Sequence, residues 1–177
     1  EEEHHDEDED HDEEEHEEGH DDHGGLILAN YLQEDAELDG YELEIGRVFN
    51  LASGDLEVSF SRDVVNGSLS SGMNIPRMSP ARNIYSVGYS VNDYLFDLSF
   101  KDVDSQTDTA EEESATSGYQ MLDAKLVRTF DLNGSSLRVS VFANNLLDEV
   151  ARNHASFVKN QVPLPGKNFG LRFNLSF

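Results

Sequence analysis

The C-terminal stretch NFGLRFNLSF sets Phe169, Leu171, Phe173, Leu175 and Phe177 on one side of an extended chain and Gly170, Arg172, Asn174 and Ser176 on the other. Such period-two alternation belongs to a β-strand, whose successive side chains leave opposite faces. It recurs upstream in six places. Tyr41, Leu43 and Ile45 oppose Glu42, Glu44 and Gly46, and Leu56, Val58 and Phe60 oppose Glu57, Ser59 and Ser61. Tyr85, Val87, Tyr89 and Val91 oppose Ser86, Gly88 and Ser90, and Tyr94, Phe96, Leu98 and Phe100 oppose Asp97, Ser99 and Lys101. Leu122, Ala124 and Leu126 oppose Asp123 and Lys125, and Leu137, Val139, Val141 and Ala143 oppose Arg138, Ser140 and Asn144, with Phe142 breaking the polar side. Seven strands and no convincing helix predict an all-β chain.

The connections between these strands alternate in length. NLASGD, VND and DLNGS are hairpin-sized, and Asn133-Gly134 is a strong tight-turn signal. NGSLSSGMNIPRMSPAR, DSQTDTAEEESATSG and LDEVARNHASFVKNQVPLPGK are long loops. Short turns at one end and long loops at the other fit an antiparallel transmembrane β-barrel, with periplasmic turns and extracellular loops. A soluble β-sandwich also alternates apolar and polar residues and stands as the alternative. Strands of about ten residues, long enough to cross a bilayer obliquely, favour the barrel. So do Tyr and Phe near strand ends, where interfacial girdles sit. Small residues such as Ser59, Ser86, Gly88, Ser90 and Ser99 on the second face suit a wet lumen. On this reading Val141 meets lipid and Ser140 the lumen.

The first twenty-five residues differ in kind, holding sixteen Asp or Glu and six His with no Lys or Arg. Removing those sixteen acids from the net charge of −25 leaves −9, ordinary for a folded segment. Nucleic acid is not expected as a partner, because no basic face exists to replace phosphate counterions. The chain has no Cys, which excludes disulfides, thiolate metal sites and a thiol nucleophile. No apolar run approaches the ~18 residues of a membrane helix. The start, EEEHH, is not a signal peptide, so an exported chain is expected to have lost its beginning.

Imidazole mixed with carboxylate suits Zn(II), Ni(II) or Cu(II). The candidate metal ligands are His4, His5, His11, His16, His20 and His23, with neighbouring Asp12, Glu15, Asp21 and Asp22. His16, His20 and His23 share one face if the tract becomes helical on binding, although like charges resist that helix. The competing reading is a solvated polyanionic loop. His154 in the last long loop is a weaker candidate, more readily a packing or solvent-facing residue. Asp102, Asp104, Gln106, Asp108 and Glu113 approach calcium-loop spacing, but Thr107 stands where Gly is needed and strands replace the helices. Glu42 and Glu44 could line a cation path on a lumen that is polar by default. No nucleophile motif or HExxH spacing is present, and the chain is not expected to be an enzyme.

Several stretches, in order, resemble the TonB-dependent outer-membrane receptors over nearly everything after residue 25. AELDGYELEIG resembles a strand in which Gly and two Glu alternate, and GYQMLDAKL resembles the antepenultimate strand. VFANNLLDEVARNH is similar to the penultimate strand with its Asn-Leu-Asp turn, and PLPGKNFGLRFNLSF to the terminal strand with its final Phe. The loop ARNHASFVKNQVPLPGKNF is especially similar to that of zinc-uptake members, many of which carry a His- and acid-rich external loop.

The resemblance implies a 22-stranded barrel around a plug, of which this chain is the C-terminal part. Residues 1–25 become an extracellular loop, disordered without metal, and residues 26–177 become barrel wall, with the first strand starting near Leu26. It implies a bacterial outer-membrane location, lipid as a partner, and energy coupling to the TonB complex through an N-terminal part. No permanent cofactor is implied, zinc is the transported ligand, and Phe177 belongs to the membrane-assembly signal. A siderophore or haem receptor with an incidental acidic loop, or a soluble acidic cation-binding sandwich, are the alternatives. Seven strands cannot close such a barrel, so the chain alone is expected to misfold or aggregate.

Overall fold

The computed structural model describes residues 33–177. These form seven strands: β1 (Ala36–Leu51), β2 (Gly54–Leu69), β3 (Arg82–Val91), β4 (Tyr94–Val103), β5 (Tyr119–Asp131), β6 (Ser136–Asn144) and β7 (Asn168–Ser176). Each is antiparallel to the next, in a single sheet ordered β1-β2-β3-β4-β5-β6-β7. The first strand does not run unbroken from near Leu26: Gln33 to Asp35 are not in a strand and β1 begins at Ala36, while residues 26–32 lie outside the described residues.

The short turns follow their local chemistry. Asn133 and Gly134 have φ of 46° and 104°, the paired left-handed residues that suit a tight hairpin and that Asn and Gly adopt most readily. Asn92 does the same at the β3–β4 turn, with φ of 50°.

Register carries the apolar alternation across all seven strands. Phe49, Leu56, Tyr89, Phe96, Leu126, Val141 and Leu171 are successive cross-strand partners in one row. The adjacent row on this face continues with Val58, Val87, Leu98, Ala124, Ala143 and Phe169. The other face pairs Gly46, Ser59, Ser86, Ser99 and Asp123. A slip of one residue between any two strands would set an apolar row against a polar one, so the pattern fixes the register.

What the sheet lacks is a core. The only buried hydrophobic residues described are Val103, Val127 and Ala151, while Phe96 is 45% exposed and Leu171 63%. Covering one such side chain is worth roughly 1.5 to 3 kcal/mol, so a whole apolar face needs an apolar neighbour outside this sheet. The sandwich alternative would supply a second sheet, and the described residues form none. Among the described residues both edges, β1 and β7, pair on one side only, leaving backbone donors and acceptors there to pair with further strands.

Phe142, the exception to the polar face, is explained by its partner. It pairs with Gly170, where an added Cβ would fall against the tip of the Phe142 ring. The ring lies over the glycine's bare backbone and fills the space that a side chain would occupy. Ser140 lies on the polar face as expected and borders its groove, but at 6% exposure it is closed in between Arg172 and Val127.

Candidate functional site: an apolar wall and a locked loop layer

Consecutive antiparallel strands bring the three long connections, 70–81, 104–118 and 145–167, to the same end of the sheet. The last of them is anchored where β6 ends. Asn145 is fully buried with φ of 51°, and its backbone N–H donates to Asp123 Oδ1 at 2.8 Å. Its side-chain amide donates to the carbonyls of Glu149 and Pro165 and accepts from the Glu149 N–H, at 2.9, 3.2 and 2.9 Å. Asp148, also left-handed at φ 57°, accepts from the Lys167 N–H at 3.0 Å. The Asn-Asn-Leu-Leu-Asp stretch thus folds the loop back on its own exit, using the residue types that tolerate positive φ.

At the centre of the layer lies Glu113. Its carboxylate accepts from Lys159 Nζ at 2.8 Å, from the Arg77 N–H at 3.0 and 3.1 Å, and from the Ala110 N–H at 3.1 Å. One side chain therefore ties together all three long loops. Burial alone would raise its pKa, but the hydrogen bonds from Lys159, Ala110 and Arg77, with the ammonium charge, outweigh that and hold it down at about 2.

His154 completes the cluster. It is 1% exposed, with Nδ1 2.9 Å from Thr116 Oγ1 and Nε2 3.1 Å from Glu113 Oε1. A carboxylate can only accept, so Nε2 carries the proton and Nδ1 accepts from the Thr116 hydroxyl. Burial pushes the His154 pKa below its usual value and the Lys159 charge pushes the same way, while Glu113 opposes both. The ring is neutral, with both nitrogens engaged. In this arrangement it offers no free lone pair to a metal. Around the cluster, the Arg77 guanidinium stacks 3.6 Å above the Phe157 ring, Ser114 pairs with Asn160, and Arg152 donates to the Lys159 carbonyl.

The calcium-like spacing in the second long loop does not converge. Gln106 is bridged to Thr116 and donates to the Met78 carbonyl at 3.2 Å, and Glu113 turns toward Lys159. Among the described residues no group of three His, Asp or Glu could hold a metal ion. His4, His5, His11, His16, His20 and His23, with Asp12, Glu15, Asp21 and Asp22, lie outside the described residues. Phe177 follows β7, and its side chain is exposed. Sequence reasoning missed Lys159, Thr116 and Asn145, and placed Glu113 in another role.

The polar face holds an open groove of about 530 Å³, lined by Asp97, Ser99, Asp123, Lys125 and Arg172 among others. Lys125 pairs with Asp97 at 3.1 Å, and nearer the long loops Arg82 pairs with Asp63 at 2.6 Å. Its chemistry is that of a wetted, charge-balanced surface, opposite the uncovered apolar one.

A single sheet of consecutive antiparallel strands, apolar on one face and polar on the other, is the architecture of a stretch of β-barrel wall. Comparison with solved structures agrees: the chain is similar to the copper transporter OprC, with a TM-score of 0.63 and 18% identity over 81% of this chain. The matched region spans 24% of that transporter's chain. No protein-family model and no curated protein matches the sequence.

Proposed function

We propose that this chain is part of the wall of a bacterial outer-membrane barrel that imports a metal ion, coupled to the TonB complex through another part of the receptor. The observation that carries the reading is the apolar face, continuous across seven strands and left uncovered. Hydrocarbon is the neighbour that such a face fits. The free edges of β1 and β7 then pair with further strands of the same barrel, since lipid tolerates no unpaired backbone. The long loops face outward and the short turns face the periplasm.

The cargo is read from the acidic tract, with support from the similarity to a copper transporter. Residues 1–25 act as an external recruiting segment, in which several loose imidazole–carboxylate sites raise the local concentration of a divalent ion. Zinc is the first candidate. Copper(II) suits the same ligands and is the second, favoured by the neighbour's cargo.

Protons compete with metal for imidazole nitrogen, and neighbouring carboxylates raise the His pKa above its ordinary value of about 6.5. Zinc binding to the tract should therefore weaken steeply between about pH 8 and pH 6, whereas carboxylate-only calcium binding changes little. In cells carrying the complete receptor, replacing the six His with Gln should slow uptake of scarce zinc while leaving uptake of abundant zinc unchanged. Normal uptake of scarce zinc by the Gln variant, with loss only when the acids are removed, would make the tract an electrostatic brush. A defect in copper uptake alone would select the second cargo.

A further inference from the structure

Two segments on the apolar face share a pattern that strand alternation does not require. RVFNL (residues 47–51) ends β1 and RTFDL (residues 128–132) ends β5 and enters the turn. Both strands run from the long-loop end to a short turn, and each segment puts Arg and then Phe on the apolar face. The Arg47 guanidinium lies 4.9 Å from the centre of the Phe49 ring. Arg128 lies 4.4 Å from Phe130 and 4.9 Å from Tyr94, its cross-strand partner. Neither Arg forms an ion pair among the described residues.

The height of these cations on the wall is informative. Toward the long loops the same face is closed off by a polar row: Arg62 donates to Tyr41 and Asn83, and Gln120 donates to Asp102. On β5 the face then runs through Leu122, Ala124 and Leu126 before reaching Arg128. Gln120 to Arg128 is eight residues, about 26 Å along the strand and about 20 Å across the membrane at the usual tilt, which is most of an apolar band of about 25 Å. Arg128, three residues from the end of β5, therefore stands near where hydrocarbon gives way to headgroups on the short-turn side. Arg47 shares a register row with Leu98 but lies four residues from the end of β1, and the stagger of tilted barrel strands carries each row obliquely across the membrane, bringing Arg47 to a similar height.

We propose that Arg47 and Arg128, each backed by an aromatic ring, bind the phosphate of anionic phospholipid headgroups at the short-turn rim of the wall. This rests on the barrel reading. A guanidinium on a lipid-facing surface needs an anionic partner at the interface, and its planar fork matches phosphate oxygens. Stacking on Phe49, or between Tyr94 and Phe130, holds that plane in place while its edge donates. The same phosphate chemistry would also take free inorganic phosphate, so the test separates the two.

The complete receptor is inserted in phosphatidylcholine nanodiscs with a minor fraction of phosphatidylglycerol, and co-purifying lipid is weighed by mass spectrometry. Insertion is scored separately by heat-modifiable mobility, so a receptor that does not insert counts against the barrel itself, and this proposal falls with it. Among inserted receptors, Arg47→Gln with Arg128→Gln should retain about fivefold less phosphatidylglycerol per site. The Lys pair, which keeps the charge but loses the planar fork and its stacking, should fall between the unsubstituted receptor and the Gln pair, and Arg138→Gln, on the polar face near the same turn, should change nothing. Unchanged retention in the Gln pair, equal loss in Arg138→Gln, or displacement of the lipid by millimolar inorganic phosphate would each overturn the proposal.

Discussion

Replacing Glu113 with alanine is expected to release the loop layer while leaving the sheet intact. Glu113 is the one carboxylate that Lys159 and His154 share, and both partners are buried. Removing it leaves an ammonium in a closed site facing an imidazole, with no anion to balance it. Breaking a buried pair from one side costs about 3 to 5 kcal/mol. The Arg77 and Ala110 amides lose their acceptor in the same step. Faster hydrogen exchange at those two amides and new tryptic cleavage at Lys159 would report the release. Adding Lys159→Met to Glu113→Ala should restore slow exchange elsewhere in the layer, as at the Thr116 amide that donates to the Gln106 carbonyl, because an apolar side chain of similar volume removes the stranded charge, while the Arg77 and Ala110 amides stay without their acceptor. Unchanged exchange in the single variant would show that the loops are held by something else.

The same cluster makes the layer acid-sensitive, with a definite order. His154 has a folded pKa below its unfolded value. It therefore takes up a proton on unfolding, and stability falls as pH drops below about 6.5. Glu113 has a folded pKa of about 2 against an unfolded 4.5. Its contribution is present above 4.5 and is lost as pH falls from there toward 2. Loosening should thus begin near the histidine and deepen through the carboxylate, while the strands keep their protection.

The second large effect separates the two faces by one residue. Leu98 sits in the apolar row between Val87 and Ala124, and Ser99, next along β4, pairs with Ser86 and Asp123 on the polar face. In a lipid-embedded barrel Leu98→Lys should cost roughly 2 to 4 kcal/mol near the bilayer midplane. Ser99→Lys places its ammonium beside Asp123 and the open groove and should be tolerated. Unfolding midpoints of the inserted receptor, followed by heat-modifiable mobility, compare them. Equal losses would remove the assignment of faces. Ser140 is a poor choice for such a control, since it is closed in by its neighbours.

The strands were legible because alternation is local: each face can be read two residues at a time, and Asn133-Gly134 announces its own turn. The loop layer was not, because Glu113 and Lys159 are 46 residues apart and belong to different loops. Nothing near either residue signals the other, and local spacing drew Glu113 into a calcium-like pattern instead. His154 was read as a packing residue before it was read as a ligand, and its surroundings are those of packing. Phe142 looked like a flaw in the polar face until Gly170 appeared across from it. Only cross-strand register reveals such a pair. The strand expected to start near Leu26 falls partly outside the described residues, in which β1 begins at Ala36.

The central claim, that the apolar face of this sheet meets lipid, is tested most directly by labelling β4 one residue at a time. The chain has no Cys, so each introduced thiol is unique within it. With a polarity-sensitive fluorophore at positions 96, 97, 98, 99, 100 and 101 of the inserted receptor, a lipid-borne quencher should reach 96, 98 and 100. A water-borne quencher should reach 97, 99 and 101 instead. Alternation of this kind over all six positions is the expected result, and uniform access to the aqueous quencher on both faces would contradict it.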